Sequence, residues 1–313
     1  MPISGSALRG ILATAGRQYG LITRSQALRH GLDDTRIRTL LRRGEWRRCH
    51  PGVYAVACLP VDTGSDEGRL RVMAFAARLA AGPTGVVCGP TAARLWGMRG
   101  LARWDRREIH LAFPGATRCP VMPGVRTNKR AIAHTEIHAA DGLRMTTPGR
   151  TLRDVVLEVD RETAVSLMDS ARNLGLVGDA EFARLPRGNT GRRGNAASAA
   201  WWRLSDTRAQ SPLETRVRLV CVDAGITPDG LQHPLPLSGE RTTLYGDLWW
   251  DAGPLLVEAD GAEPHSRPQT IVGDRHRQNA LLNAYPHLKL RRFGWRDLDH
   301  PAAIVATITH ALR

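Results

Sequence analysis

The sequence predicts an α/β protein, α+β overall, made of three folded units. Three observations carry this. At 313 residues the chain exceeds what one hydrophobic core usually organises. Its first 60 or so residues read as three short helices closed by an alternating hairpin, "EWRRCHPGVYAV". Its C-terminal part reads as α-β-β-β-α-β with a closing helix. The expected boundaries are 1–62 for the N-terminal unit, 63–186 for a mixed α/β middle unit, 187–210 for a linker and 211–313 for the C-terminal unit.

In the N-terminal unit, Ser6–Ala15 forms the first expected helix. The second covers Thr23–Arg29, with Thr23 and Gln26 spaced as a capping box and Gly31 just past the end. The third opens at Asp33 or Asp34 as N-cap and stops before Gly44. Ile37, Leu40 and Leu41 give it one apolar stripe, while Arg36, Thr39 and Arg43 repeat the spacing on another face. The hairpin around Pro51-Gly52 makes a two-stranded wing. Ten arginines face only three acids in residues 1–60, Asp33, Asp34 and Glu45, so the segment favours a polyanionic partner. A winged helix-turn-helix leads into the major groove with polar and basic side chains of its second helix. On that reading Arg36, Thr39 and Arg43 reach base edges, and Arg42, Arg47 and Arg48 meet phosphates of double-stranded DNA. The competing reading is a small helical unit with a solvated basic face; the wing that follows the basic helix favours DNA.

In the middle unit, "RLRVMAFAARLAAG" is helical, and "TGVVCGPTAARLWG" reads as strand, turn and helix. "EIHLAFPG" and "GVRTNKR" read as strands, and Thr147-Pro148 caps and opens the next helix. His110, His134 and His138 are scattered without metal-ligand spacing and read as surface or packing residues. "PRGNTGRRGN" is a linker by composition.

The whole chain carries a formal charge of +14. Only Lys129 and Lys289 are lysines, so arginine supplies nearly all of the positive charge. A GC-rich coding bias explains arginine in place of lysine, but not the excess of base over acid. Five scattered cysteines without a CxxC pair argue for reduced thiols and against a zinc site. With no long apolar run and no secretion-signal pattern, the expectation is a cytoplasmic protein with no membrane partner.

The C-terminal unit holds the chemistry. Asp247 and Glu258 fall on consecutive expected strands joined by a tight turn at Asp251–Pro254, which would bring them side by side. Glu258 and Asp260 would share a face by the period of two. Three converging carboxylates repel one another unless a cation sits between them. Oxygen ligands suit Mg²⁺ or Mn²⁺, an ion able to activate water and clamp a phosphodiester. Glu214 is a fourth candidate from the preceding helix; "SPLE" is equally a capping box, and the two roles are compatible.

These residues resemble the PD-(D/E)XK nuclease superfamily, and within it the branch related to the very-short-patch repair (Vsr) endonucleases, with a restriction-endonuclease-like core. The resemblance rests on Ser211–Glu214, Asp247, "EADG" at 258–261, His265 and "DRHRQN" at 274–279. It implies Asp247, Glu258 and the Ala259 carbonyl as metal ligands. Asp260 stands where that superfamily usually has lysine, so phosphate stabilisation falls to His265, Arg275 or Arg277, or to Lys289 from the next strand. Asp274 and Arg277 are equally readable as a helix-surface pair, and His265 as a loop residue. Residues 1–186 resemble the AbiEi-type antitoxins of type IV toxin–antitoxin systems, through "YGLITRSQALRHGL", "WRRCHPGVYAV", "CGPTAARLWG" and "DGLRMTTPGRTLRD". That resemblance implies a winged helix repressing its own operon at operator DNA, beside a neighbouring toxin. Two functions follow as expectations: a DNA-targeted metal-dependent endonuclease, or an antitoxin-type autorepressor whose nuclease-like part does not cut.

Overall fold

The computed structural model describes residues 4–59, 64–115, 118–236, 243–260, 279 and 281–313. The protein is a mixed α/β structure with several sheets, dividing into two compact units, Met1–Val155 and Val156–Arg313.

The first unit begins with α1 (Gly5–Gly16), β1 (Leu21–Thr23), α2 (Arg24–Arg29), α3 (Asp34–Arg42), β2 (Trp46–His50) and β3 (Val53–Val56). The local chemistry sets these limits. Thr23 and Gln26 close a reciprocal capping box on α2, and the Asp33 carboxylate accepts the Arg36 N–H at 2.7 Å to open α3. The strands form an antiparallel sheet in the order β1-β3-β2, and β1 was not foreseen from sequence. Ile11, Ile22, Ile37, Leu40, Trp46 and Tyr54 fill the core beneath the helices.

The rest of the unit comprises α4 (Asp66–Ala81), β4 (Val86–Val87), α5 (Gly89–Leu95), β5 (Ile109–Ala112), β6 (Val125–Asn128), β7 (Ile137–Ala140), β8 (Leu143–Thr146) and α6 (Pro148–Val155). Its five strands lie in the order β6-β5-β4-β8-β7. The hairpin β7–β8 turns at Asp141-Gly142, both with positive φ (51° and 73°), as a two-residue turn of the primed kind requires. Leu21, Val53 and Ala55 from the first sheet share one core with Leu70, Phe75, Leu111 and Met145. The expected boundary after residue 62 therefore falls inside a single unit, because α4 buries its apolar face against strands of both sheets.

The second unit contains α7 (Arg161–Asn173), α8 (Asp179–Phe182), α9 (Asn195–Ser198), α10 (Pro212–Asp223), β9 (Gly230–Pro236), β10 (Thr243–Trp250), β11 (Leu255–Ala259), β12 (Lys289–Phe293) and a C-terminal helix, Pro301–Leu312. The stretch 187–210, expected to be a linker, belongs to this unit. Asn189, Ser198 and Trp202 are buried in it, and the Trp202 ring packs 5.2 Å from Phe182. Its glycines and arginines gave the appearance of a tether, but these three anchors hold it down.

The sheet runs β12-β11-β10-β9, antiparallel except for the parallel β11–β12 pair. Pro234 and Pro236 are tolerated in β9 because it is an outer strand. Leu213, Val217 and Cys221, one stripe of α10, pack with Leu248, Trp250, Leu255 and Val257 of the sheet and Ile304 and Ile308 of the last helix. Gly246 is dictated by packing: a Cβ there would lie 2.0 Å from the Leu256 side chain. Strand β10 runs three residues past Asp247, so this acid sits within the strand and not at its end.

Candidate nucleic-acid interface and acidic cluster

The predicted DNA-reading residues occupy α3 and β2. Arg24 forms a fork on Asp34, with Nε 2.7 Å from Oδ1, tying α2 to the first turn of α3. That hydrogen bond, before any longer-range attraction, holds the Asp34 carboxyl below its ordinary value of 3.8. Arg36 and Thr39 are half-buried, whereas Arg42, Arg43, Arg47 and Arg48 are exposed. The Thr39 hydroxyl donates to the Thr35 carbonyl at 3.0 Å, which leaves its oxygen lone pairs and methyl group to meet a ligand. Arg43 lies 3.8 Å from Glu45, a loose pair exposed on both sides. Among the described residues no acid lies within ion-pair distance of Arg36, Arg42, Arg47 or Arg48. One short helix and one strand thus present a cationic surface.

The acids of the second unit are treated differently. Ser211 caps α10 through its Oγ, 3.2 Å from the Glu214 N–H. The Glu214 carboxylate accepts from the Gln210 N–H at 2.9 Å and from the Gln232 side-chain amide at 3.0 Å. That same amide nitrogen donates to Asp247 Oδ1 at 3.0 Å. The paired register of β10 and β11 covers Leu248–Trp250 and Leu255–Val257; beyond it, the Ala259 N–H donates to Asp247 Oδ2 at 2.8 Å. Glu214 and Asp247 therefore meet across one shared amide. Burial, and then the neighbouring Asp247 charge, push the Glu214 carboxyl above its ordinary 4.5. Gln232 has a left-handed backbone, φ 49°, unusual for a residue within a strand; such strain costs on the order of 1 kcal/mol and marks a position held by its surroundings.

Glu258 has a basic partner. It is register-matched to Arg292 on β12 and forms an ion pair with it at 2.6 Å. Asp260 lies just past the end of β11, where its N–H donates to the Phe293 carbonyl at 2.9 Å. Lys289 donates to the Ala311 carbonyl at 2.6 Å, at the end of the C-terminal helix. Among the described residues no three His, Cys, Asp or Glu side chains are grouped to hold a metal ion. Asp247 thus shares the Gln232 amide with Glu214, while Glu258 has a positive partner, Arg292, brought by β12. His265, Asp274, Arg275 and Arg277 lie outside the described residues.

Sequence reasoning missed Gln232 and Arg292. Nothing local marks Gln232, whose role exists only once β9 pairs with β10. Arg292 belongs to a conspicuous basic strand, "KLRRF", but its partner depends on the parallel register with β11. Elsewhere, His110 bonds Thr91 at 3.1 Å and His138 packs edge-on against Trp96, as expected of packing histidines. The five cysteines are free, and burial pushes the Cys221 thiol up to about 12, where it is inert. No helix among the described residues is long and apolar enough to cross a membrane.

Residues 11–57 match the family model AbiEi_4, described as a transcriptional regulator, AbiEi antitoxin. The matched span covers α2, α3, β2 and β3. Two relatives from Mycobacterium tuberculosis are similar over a longer stretch: the uncharacterized proteins MT2308 of strain CDC 1551 / Oshkosh and Rv2248 of strain H37Rv. Each is 28% identical over 215 residues, covering 67% of this chain and 72% of the relative. The crystal structure of RV2827C protein from Mycobacterium tuberculosis aligns over 67% of this chain and 79% of that one, with 17% identity and a TM-score of 0.41.

Proposed function

We propose that this chain is a DNA-binding transcriptional regulator of the AbiEi antitoxin kind. In this reading α1 to β3 form a winged helix-turn-helix, α3 enters the major groove of the protein's own operator, and β2 and β3 are the wing. Such a role places the protein in the cytoplasm, with a neighbouring toxin as its counterpart. One observation carries the reading: within the very segment that matches the regulator family, Arg36, Arg42, Arg47 and Arg48 have no acid within ion-pair distance among the described residues. Phosphates are the chemistry that such a surface meets. The test is fluorescence anisotropy of the full chain on its own promoter duplex and on a shuffled duplex. The promoter is expected to bind more tightly, with affinity falling steeply as salt rises. Promoter binding by the Arg36→Ala, Arg43→Ala double variant equal to the parent's would sink the proposal.

A second reading, metal-dependent hydrolysis of a phosphodiester, is favoured by the Glu214–Gln232–Asp247 cluster. Two carboxylates held against their mutual repulsion by a strained glutamine resemble a site prepared for a cation. Their oxygens suit Mg²⁺ or Mn²⁺, which would be held by Asp247, Glu258 and the Ala259 carbonyl. Bound there, the ion would supply an activated water and neutralise phosphate charge. Glu258 would have to release Arg292, which would then be available to a phosphate oxygen. Plasmid incubated with Mn²⁺ and either the parent or Glu258→Ala decides this reading: equal cutting, or none by either, removes it.

A further inference from the structure

We propose that the first unit holds a binding site for a small amphipathic organic anion, between β2 and α4, and that its occupant competes with DNA for Arg47. The competition, though not the site, rests on the regulator reading above.

A cavity of about 450 Å³ lies there, within the range of roughly 300–1,000 Å³ usual for small-molecule sites. Its walls include Arg47, Cys49 and His50 from β2 and Arg69, Met73 and Ala76 from α4. Arg69, Met73 and Ala76 are spaced i, i+4 and i+7, so one helix face supplies both the charge and the apolar floor. The β2–β3 register shifts between Arg48 and His50. A bulge of this kind breaks strict alternation, and it brings the consecutive Cys49 and His50 to the same cavity.

The chemistry of the walls selects the ligand. Two guanidinium groups line the cavity, and no acid is among the described residues that line it. Burial lowers the pKa of His50 below 6.5, so near neutral pH it is an uncharged imidazole with one donor and one acceptor. Burial raises that of Cys49 above 9.0, so its thiol stays protonated and does not repel an anion. A carboxylate-like head fits the guanidinium fork. Met73 and Ala76 call for an apolar body, which separates this ligand from a nucleotide or a sugar phosphate. Arg47 is both a wall of this cavity and an exposed side chain of the proposed wing, so an anion drawing it inward removes it from the phosphate backbone.

Calorimetry on the full chain with octanoate as the probe, and octanol as its uncharged counterpart, tests the site. Octanoate is expected to bind at least about 10-fold more tightly than octanol, and Arg69→Gln to remove that difference. Ala76→Trp, which fills the floor, should abolish binding of both; circular dichroism checks that each variant is folded, and Arg69→Gln carries the test if the tryptophan variant is not. No heat with octanoate, equal binding of the two probes, or unchanged binding by folded Arg69→Gln would overturn the site. Promoter affinity measured with saturating octanoate is expected to weaken several-fold. Unchanged affinity with octanoate bound overturns the competition alone. A promoter left unbound even without octanoate overturns the regulator reading and the competition with it, while the calorimetry still decides the site.

Discussion

Among the described residues Arg42, Arg47 and Arg48 stand exposed in the first unit with no acid in reach, whereas in the second unit Glu258 has Arg292 at 2.6 Å and Asp247 has Gln232 and the Ala259 amide. Asp169 is the extreme case. Buried on α7, it accepts from the Asp206 N–H at 2.7 Å, from Thr215 at 2.8 Å and from Arg218 at 2.9 Å. The difference separates two uses of charge. A group whose partners lie within the chain contributes to folding and offers little to a ligand. A group without partners contributes little to folding and awaits something from outside.

The strongest way to break this contrast is to unpair a buried charge. Asp169→Ala leaves Arg218 buried without its carboxylate and is expected to cost about 3–5 kcal/mol, read by urea unfolding followed through tryptophan fluorescence. A loss under about 1 kcal/mol would mean that the network is not a folding element. The exposed side is tested by the opposite pattern. Arg36→Ala with Arg43→Ala should leave stability within about 0.5 kcal/mol per site, yet weaken promoter binding by roughly 30-fold or more. Should stability fall as much as binding does, those arginines belong with the structural charges. Arg47→Ala with Arg48→Ala sharpens the division between reading and positioning. It is expected to weaken promoter and shuffled duplex alike, and to reduce the salt slope by about 2, because each phosphate contact releases counterions.

The smallest effect concerns Glu214. Because burial and Asp247 raise its pKa above 4.5, the folded chain takes up a proton there before the unfolded chain does. The disadvantage of holding it ionised is therefore relieved as pH falls from neutrality toward 4.5. Glu214→Gln, which keeps the acceptor for Gln210 and Gln232, is expected to be more stable than the parent near neutral pH. Its advantage should shrink as the pH drops. Unfolding midpoints across that range check the sign, and a gap widening toward acid would refute it.

What could be read in advance was chiefly local. Thr23, Asp33, Thr147 and Ser211 mark helix starts through chemistry confined to four residues, and each stands at the start of its helix. The hairpin β7–β8 went unread: Asp141-Gly142 is a strong turn signal, but the strands beside it are short and half-polar. The acidic cluster depended on facts no window of sequence contains. Period-two reasoning concerns Glu258 and Asp260 on one strand, and says nothing of Arg292, which reaches Glu258 from β12. Glu214 was identified from its cap and meets Asp247 only because Gln232, from a third element, joins them. The supposed linker failed for a related reason. Composition describes a segment's average, and Asn189, Ser198 and Trp202 are individual side chains that found burial.

Strand β9 has one more consequence, for a population of molecules. An outer strand normally offers a row of N–H groups that a second chain can extend, which is how crowded proteins zip into aggregates. On β9 two of those groups do not exist, because Pro234 and Pro236 carry no N–H. Newly made copies that meet along this margin find it capped by covalent structure, independent of pH, salt or occupancy. Replacing both prolines with valine would leave the fold's own ladder available and hand its neighbours a seam.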